Sequence, residues 1–141
     1  MPLYDSDYFA WTESTAARVR ERRFDEVDAE LLAEEIEDLG RSVRRALESR
    51  VAVLLAHLLK WQHQPGQRSR SWNATIREQQ RQINKLLAEN PSLRAWIEGN
   101  IEDVYQSAVL RAVSETGLPD EVFPAKCPIS LEEALAADLE F

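Results

Sequence analysis

Much of what would name a chemistry is missing from this sequence. Its single cysteine, Cys127, has no partner for an intramolecular disulfide, and no Cys/His spacing around it suits a zinc site. There is no Gly-rich phosphate loop, no Ser/His/Asp order and no setting for a nucleophilic cysteine, so no metal, cofactor or catalytic set is expected. No stretch alternates apolar and polar residues at the period of a strand, and no internal repeat or low-complexity segment occurs. The opening MPLYDSDYFAWTES has acids where a secretory signal needs a basic start, and the apolar run 51–59 is far shorter than the ~20 residues that cross a bilayer. A cytoplasmic protein without a membrane anchor is the expectation. With a net charge of −8, whole-surface attraction to nucleic acid or anionic lipid is excluded, which leaves only local patches for such partners.

What the sequence does hold is helical period. Turned at about 100° per residue, the stretch 28–65 sets Leu32, Ile36, Leu39, Val43, Leu47, Val51, Leu54, Leu58 and Trp61 on one stripe. Asp28 fits the N-cap, because its carboxylate can accept from the unpaired amides of the first turn. Acids crowd the first third (Glu30, Glu34, Glu35, Glu37, Asp38) and Arg41, Arg44, Arg45, Arg50 and Lys60 follow, the polarity that offsets a helix dipole. In 51–59 apolar residues wrap the whole circumference, which predicts a helix surrounded by others. Uninterrupted, 28–64 is long for a small domain; either Gly40 breaks it or its acidic end projects toward a partner.

Around this element the spacing predicts a helix over 4–23 capped by Ser6 or Asp7, and a turn over 64–71 marked by Pro65 and Gly66. A second helix follows to Glu89, and a third is capped by Asn90, with Pro91 in its first turn, and stops at Gly117. Residues 120–128 read as irregular, and Ser130 to Glu133 as a capping box opening a short terminal helix. Short links between long helices favour sequential antiparallel packing.

Three polar groups compete for a function. Arg50 and His57 lie near the azimuth of the apolar stripe, so each needs a partner such as Gln79 or Asn100. They would form either an inter-helix pocket, with His57 as acid, base or ligand and Arg50 as anion clamp, or a structural hydrogen-bond network. Arg68, Ser69, Arg70 and Ser71 precede a helix that continues with Arg77 and Arg81. This is an anion or nucleic-acid site if those donors are free. It is a closure of the bundle end if Trp61 and Trp72 pack there and the arginines pair with the acids of 28–38. Glu30, Glu34 and Glu37 share a face and could hold a divalent ion. That face is opposite the apolar stripe, however, and Glu34 and Glu37 lack the second acidic pair of the helical pyrophosphohydrolases.

The blocks YDSDYFAWT, LLAEEIEDLGRS, RALESRVAVLLAHLLKWQ, RSRSWNATIREQQRQI and ETGLP occur in this order. Together they resemble, over nearly the full length, a bacterial family known as domain of unknown function number twenty-nine. The resemblance implies a small all-helical bacterial protein and supplies no reaction, ligand or catalytic residue. The combined expectation is one all-α domain over 1–141, an up-and-down helical bundle around one long central helix, with a short C-terminal helix. It would act as a protein-binding or regulatory module, a homo-oligomer or the partner of another protein. Anion or nucleic-acid binding through 68–85, and an enzyme with a pocket at Arg50 and His57, stand as the alternatives.

Overall fold

Side-chain caps punctuate the chain. In the computed structural model, which describes residues 2–139, Asp7 accepts from the Ala10 amide at 3.0 Å, Asp28 from Leu31 at 3.1 Å and Ser69 from Trp72 at 3.1 Å. Ser130 and Glu133 exchange both bonds of the capping box. These caps open α2 (Tyr8–Arg20), α3 (Ala29–His63), α4 (Arg70–Glu89) and α7 (Leu131–Ala136). The remaining helices are α1 (Leu3–Ser6), α5 (Leu93–Gly99) and α6 (Ile101–Thr116), with 3-10 turns at Phe24–Glu26, Pro65–Gln67 and Asp120–Val122. Among the described residues there is no strand, and the fold is all-α. No described helix is long and apolar enough to cross a membrane.

Helix α3 runs unbroken through Gly40. Gly117 takes the left-handed conformation, φ 75°, that ends α6, and its amide returns to the Val113 carbonyl as a C′ glycine should. Two expected helices are each broken in two. The 4–23 helix splits at Asp7, whose extended backbone lets its carboxylate cap α2, and it ends at Arg20. The 91–117 helix splits at Asn100, whose side chain folds back onto the Trp96 carbonyl at 2.8 Å. Asn90 does not cap α5 with its side chain; it donates back to the Leu86 carbonyl and closes α4 instead.

The chain divides into two compact units, Met1–Ser42 and Val43–Phe141, so the boundary falls inside α3. In the second unit, residues 43–63 of α3 lie against α4 and α6. Arg50 meets Gln79 while Lys60 lies over Trp72, so α4 runs antiparallel to α3. Arg44 stacks on Trp96 and Lys60 pairs with Glu115, so α5 and α6 return parallel to α3, the up-down-up order of a helical bundle. Tyr105, Leu47, Leu54, Ile76, Ile83, Ile97 and Val51 are the largest of its fully buried side chains. Burial of a leucine or isoleucine stabilises by about 1.5–3 kcal/mol, so these positions hold the unit together. The C-terminal segment is tied to α4 through Gln80, which donates to the Ala134 and Ala137 carbonyls, and Asn73, which donates to that of Leu139.

The first unit is a hairpin of α2 and residues 29–42 of α3. Its turn contains Arg22 at φ 60°, a left-handed conformation that a residue with a Cβ adopts at a cost of about 1–2 kcal/mol. Arg23 then bonds through its amide to the Arg18 carbonyl at 2.9 Å and redirects the chain. The apolar stripe of α3 is not enclosed here: Ile36 is 59% and Leu39 69% exposed, against 0% for Leu47, Val51 and Leu54. Periodicity fixes which side chains share a face, but only the neighbours of that face decide whether it is dry.

Candidate functional site

Arg50 and His57 take separate partners. Arg50, half-buried, donates to Gln79 Oε1 on α4 at 3.3 Å, as its place on the stripe required. His57 shares a hydrogen bond with the Val53 carbonyl one turn earlier at 3.0 Å, and burial holds its pKa below the ordinary histidine value. Its charged surroundings are Lys60, Glu115 and Arg111. Asn100, the other expected partner, is occupied by its own helix.

Lys60 is the buried cation that the sequence reading passed over. Only 6% exposed, it donates to Glu115 Oε2 at 2.8 Å, and its ammonium lies 4.7 Å from the Trp72 ring centre. The hydrogen bond from Lys60 lowers the pKa of Glu115, which stays an anion. A signal was available: Lys60 sits between Leu59 and Trp61 in the part of α3 that is apolar all round, where any side chain must pack.

The basic loop is largely committed to structure. Arg68 donates to the Trp61 carbonyl at 2.8 Å and stacks on that ring at 5.1 Å, while Ser69 is spent as the α4 cap. Trp61 is buried and Trp72 packs against the same core. Arg81 holds Glu78 through two bonds and drives that carboxyl down to a pKa of about 2. Arg70, Ser71 and Arg77 remain exposed on α4.

Two concavities stand out. A cleft of about 320 Å³ between α3 and α6 is rimmed by Arg45, Glu48, Asp103 and Arg111, so its charges offset one another. The other, about 450 Å³, lies wholly in the first unit. One wall is Tyr8, Trp11, Thr15 and Val19 of α2; the other is Leu32, Ile36 and Leu39 of α3. Glu35 is the one carboxylate in its lining, and Arg20 the one cation.

Glu35 is gripped by two phenols. Tyr4 and Tyr8 each donate to one of its oxygens, and these bonds keep both hydroxyls protonated, with the Tyr4 pKa pushed up to about 12 and that of Tyr8 also raised. The rings form a cluster with Trp11, at 5.4 Å for Tyr4 and Tyr8 and 5.0 Å for Tyr4 and Trp11. Edge-to-face pairs of this kind add to the area they bury. Sequence reading did not find this cluster. Tyr4, Tyr8 and Trp11 are helically spaced, but their link to Glu35 crosses 27 residues or more.

Along α3 the acids do not gather: among the described residues no three His, Cys, Asp or Glu side chains are placed to hold a metal ion. Glu37 and Asp38 turn to Arg41 on the same helix. Cys127 is half-buried, with its thiol on the Ile129 carbonyl and its pKa raised by burial, which suits a packed side chain and not a nucleophile.

Comparison with curated proteins finds no match, and neither does comparison with solved structures. One family model covers residues 3–139, nearly the whole chain, and its description is a domain of unknown function. The match runs across the boundary between the two units, and the protein belongs to the DUF29 family.

Proposed function

We propose that this chain is a protein-binding module, and that its contact surface is the open groove of the first unit, on α2 and residues 29–42 of α3. The observation that carries this reading is the absence of a core there. Thr15 is the only buried side chain described in the hairpin, while Tyr8, Phe9, Ile36 and Leu39 are each more than half exposed. A two-helix layer needs a further layer to remove its apolar stripe from water, and grouped exposed apolar residues of this kind mark interaction sites. Self-association and pairing with another protein both satisfy that need.

A photo-crosslinking side chain introduced at Leu39 of the full-length protein, in its native host, tests the reading. A discrete adduct, with a second copy or with another protein, is expected, and Ile36→Asp should abolish it. A chain that yields no adduct, and that sediments as a monomer at high concentration, is not a module of this kind.

Anion binding along α4 is the second reading, favoured by one observation: Arg70 and Arg77 are exposed and, among the described residues, paired with no carboxylate, unlike Arg81. It predicts affinity for single-stranded nucleic acid that drops steeply with salt and is lost in the doubly substituted Arg70→Ala, Arg77→Ala protein. Salt-insensitive or absent binding eliminates it.

A further inference from the structure

We infer that the occupant of the first-unit groove is a cationic amphipathic α-helix of another protein, docking as the third helix of a three-helix layer. This rests on the groove being a protein-docking surface and adds what kind of surface it meets.

Shape gives the helix. The α2 wall runs from Tyr8 to Val19, which at 1.5 Å per residue is about 16 Å, or three turns. Two antiparallel helices with an apolar trough between them present the geometry into which a third helix lays residues spaced i, i+3, i+4 and i+7. The trough is apolar along both walls, with Ile36 and Leu39 standing clear of it on one side and Tyr8 and Val19 on the other.

Charge gives the sign. Between Leu3 and Ser42 the sequence places twelve carboxylates against five arginines, so seven of the eight net negative charges of the whole chain lie in the first unit. Two of those arginines, Arg23 and Arg41, are engaged by Glu21, Glu26, Glu37 and Asp38 within the hairpin itself. A second copy would bring the same excess of like charge to the interface, which repels and slows encounter. A basic helix is drawn in by the same field.

Polar residues of the lining set direction. Glu35 accepts from Tyr4 and Tyr8, one phenol to each oxygen, and a carboxylate has lone pairs for further donors. It is fixed in place and able to receive a lysine or arginine. Arg20 lies toward the other end of the groove, near the turn, so the occupant's most basic end belongs at Glu35 and not at Arg20.

The test uses the full chain and three synthetic 18-residue peptides: one with a leucine stripe and lysine flanks, one with the same stripe and glutamate flanks, and a scrambled lysine peptide that has no stripe. The lysine helix should bind at least tenfold more tightly than either of the others. Leu39→Asp or Ile36→Asp should weaken it more than tenfold and Glu35→Gln several-fold, while Leu110→Asp, an equally exposed site in the second unit, should leave it unchanged. Both groove positions are open to solvent, so circular dichroism should show unaltered helix content in these variants. Equal binding of the scrambled peptide would reduce the effect to bulk charge and overturn the inference. So would tighter binding of the glutamate helix. A dimer that Leu39→Asp dissolves would assign the groove to a second copy, overturning this inference while the docking surface stands. Failure of all three peptides, with no crosslink from Leu39, would remove both.

Discussion

One helix, α3, passes through two different environments. From Leu47 onward it supplies side chains that are fully buried among α4, α6 and α7, and every buried apolar side chain described in the protein lies at Leu47 or beyond. Before Ser42 the same stripe faces water at Ile36 and Leu39, and the first unit, which holds it, carries nearly all of the net charge. Beyond Ser42, twelve basic and thirteen acidic residues almost cancel. The pattern of apolar positions is continuous across the boundary, so the difference lies in what covers it. The second unit meets its own need for burial, and the first leaves its stripe open to water. A hairpin with few buried contacts belongs to the low-stability end of a protein, where segments that bind and adapt are found.

The largest test of this contrast is a pair of truncations. Leu54→Ala should lower the stability of the isolated protein by about 2–5 kcal/mol, the range for emptying a packed leucine site. Leu39→Ala should change it by less than about 0.5 kcal/mol, as at exposed positions generally. Urea unfolding of the two variants measures both. Equal losses would mean that Leu39 is enclosed, and the contrast would collapse.

Lys60 sharpens the same point from within the second unit. Removing its partner by Glu115→Ala leaves a buried ammonium beside the Trp72 ring with its carboxylate gone. The expected loss is about 1–3 kcal/mol, held below that of a sealed pair because the Glu115 side is open to water. Lys60→Met, which removes the charge and keeps the stem, should cost much less. If both variants unfold at the same urea concentration as the parent, the pair contributes only packing that methionine and water reproduce.

pH reaches groups in both units. In the second, His57 and Glu115 both have folded-state pKa values below the ordinary ones, so the unfolded chain binds their protons more readily. Their contribution is complete above about pH 6.5 and is lost as pH falls, first through His57 and then, below about pH 4.3, through Glu115. In the first, Tyr4 and Tyr8 are raised, so their contribution is complete below about pH 10 and is lost as pH rises toward the folded values. The remaining tyrosine, Tyr105, is raised to about 12 by burial in the second unit and serves as an internal reference. Absorbance titration should find all three tyrosines ionising late. Glu35→Ala should return two of them to about 10 and leave the third; a single unaltered transition would show that Glu35 does not hold the phenols.

Local chemistry was readable from the sequence and distant chemistry was not. Asp28, Ser69, Ser130 and Gly117 act within one turn of themselves, so their residue types were enough to place helix ends. Asn90 misled because an asparagine can bond forward into the next helix or back onto the previous one, and Asn100, expected as a partner for Arg50 or His57, likewise turned back onto its own helix. The meeting of Arg50 with Gln79 could be expected from a polar group on a core-facing stripe. The grip of Tyr4 and Tyr8 on Glu35 could not, since nothing in their spacing says which helix they face. The groove was half legible: the acidic end of the long helix was expected to project toward a partner if the helix did not break, and what the structure adds is that the helix is unbroken and that Leu39 on it is exposed.

Gly40 provides the smallest and most local test, two residues before the boundary between the units. It sits in unbroken helix, and a Cβ added there would meet nothing within 4 Å. Gly40→Ala therefore has no steric cost to set against the gain from restricting the unfolded chain, and should stabilise the helix by about 0.5–1 kcal/mol. Amide hydrogen exchange across residues 36–44 is the suitable measurement, because a gain confined to the weaker unit can escape a global unfolding curve. Slower exchange at these amides would mean that α3 enters the first unit as regular helix and carries its open apolar face as a rigid wall. Faster exchange would mean that Gly40 is used as a hinge, and that the groove is not held in shape by α3 alone.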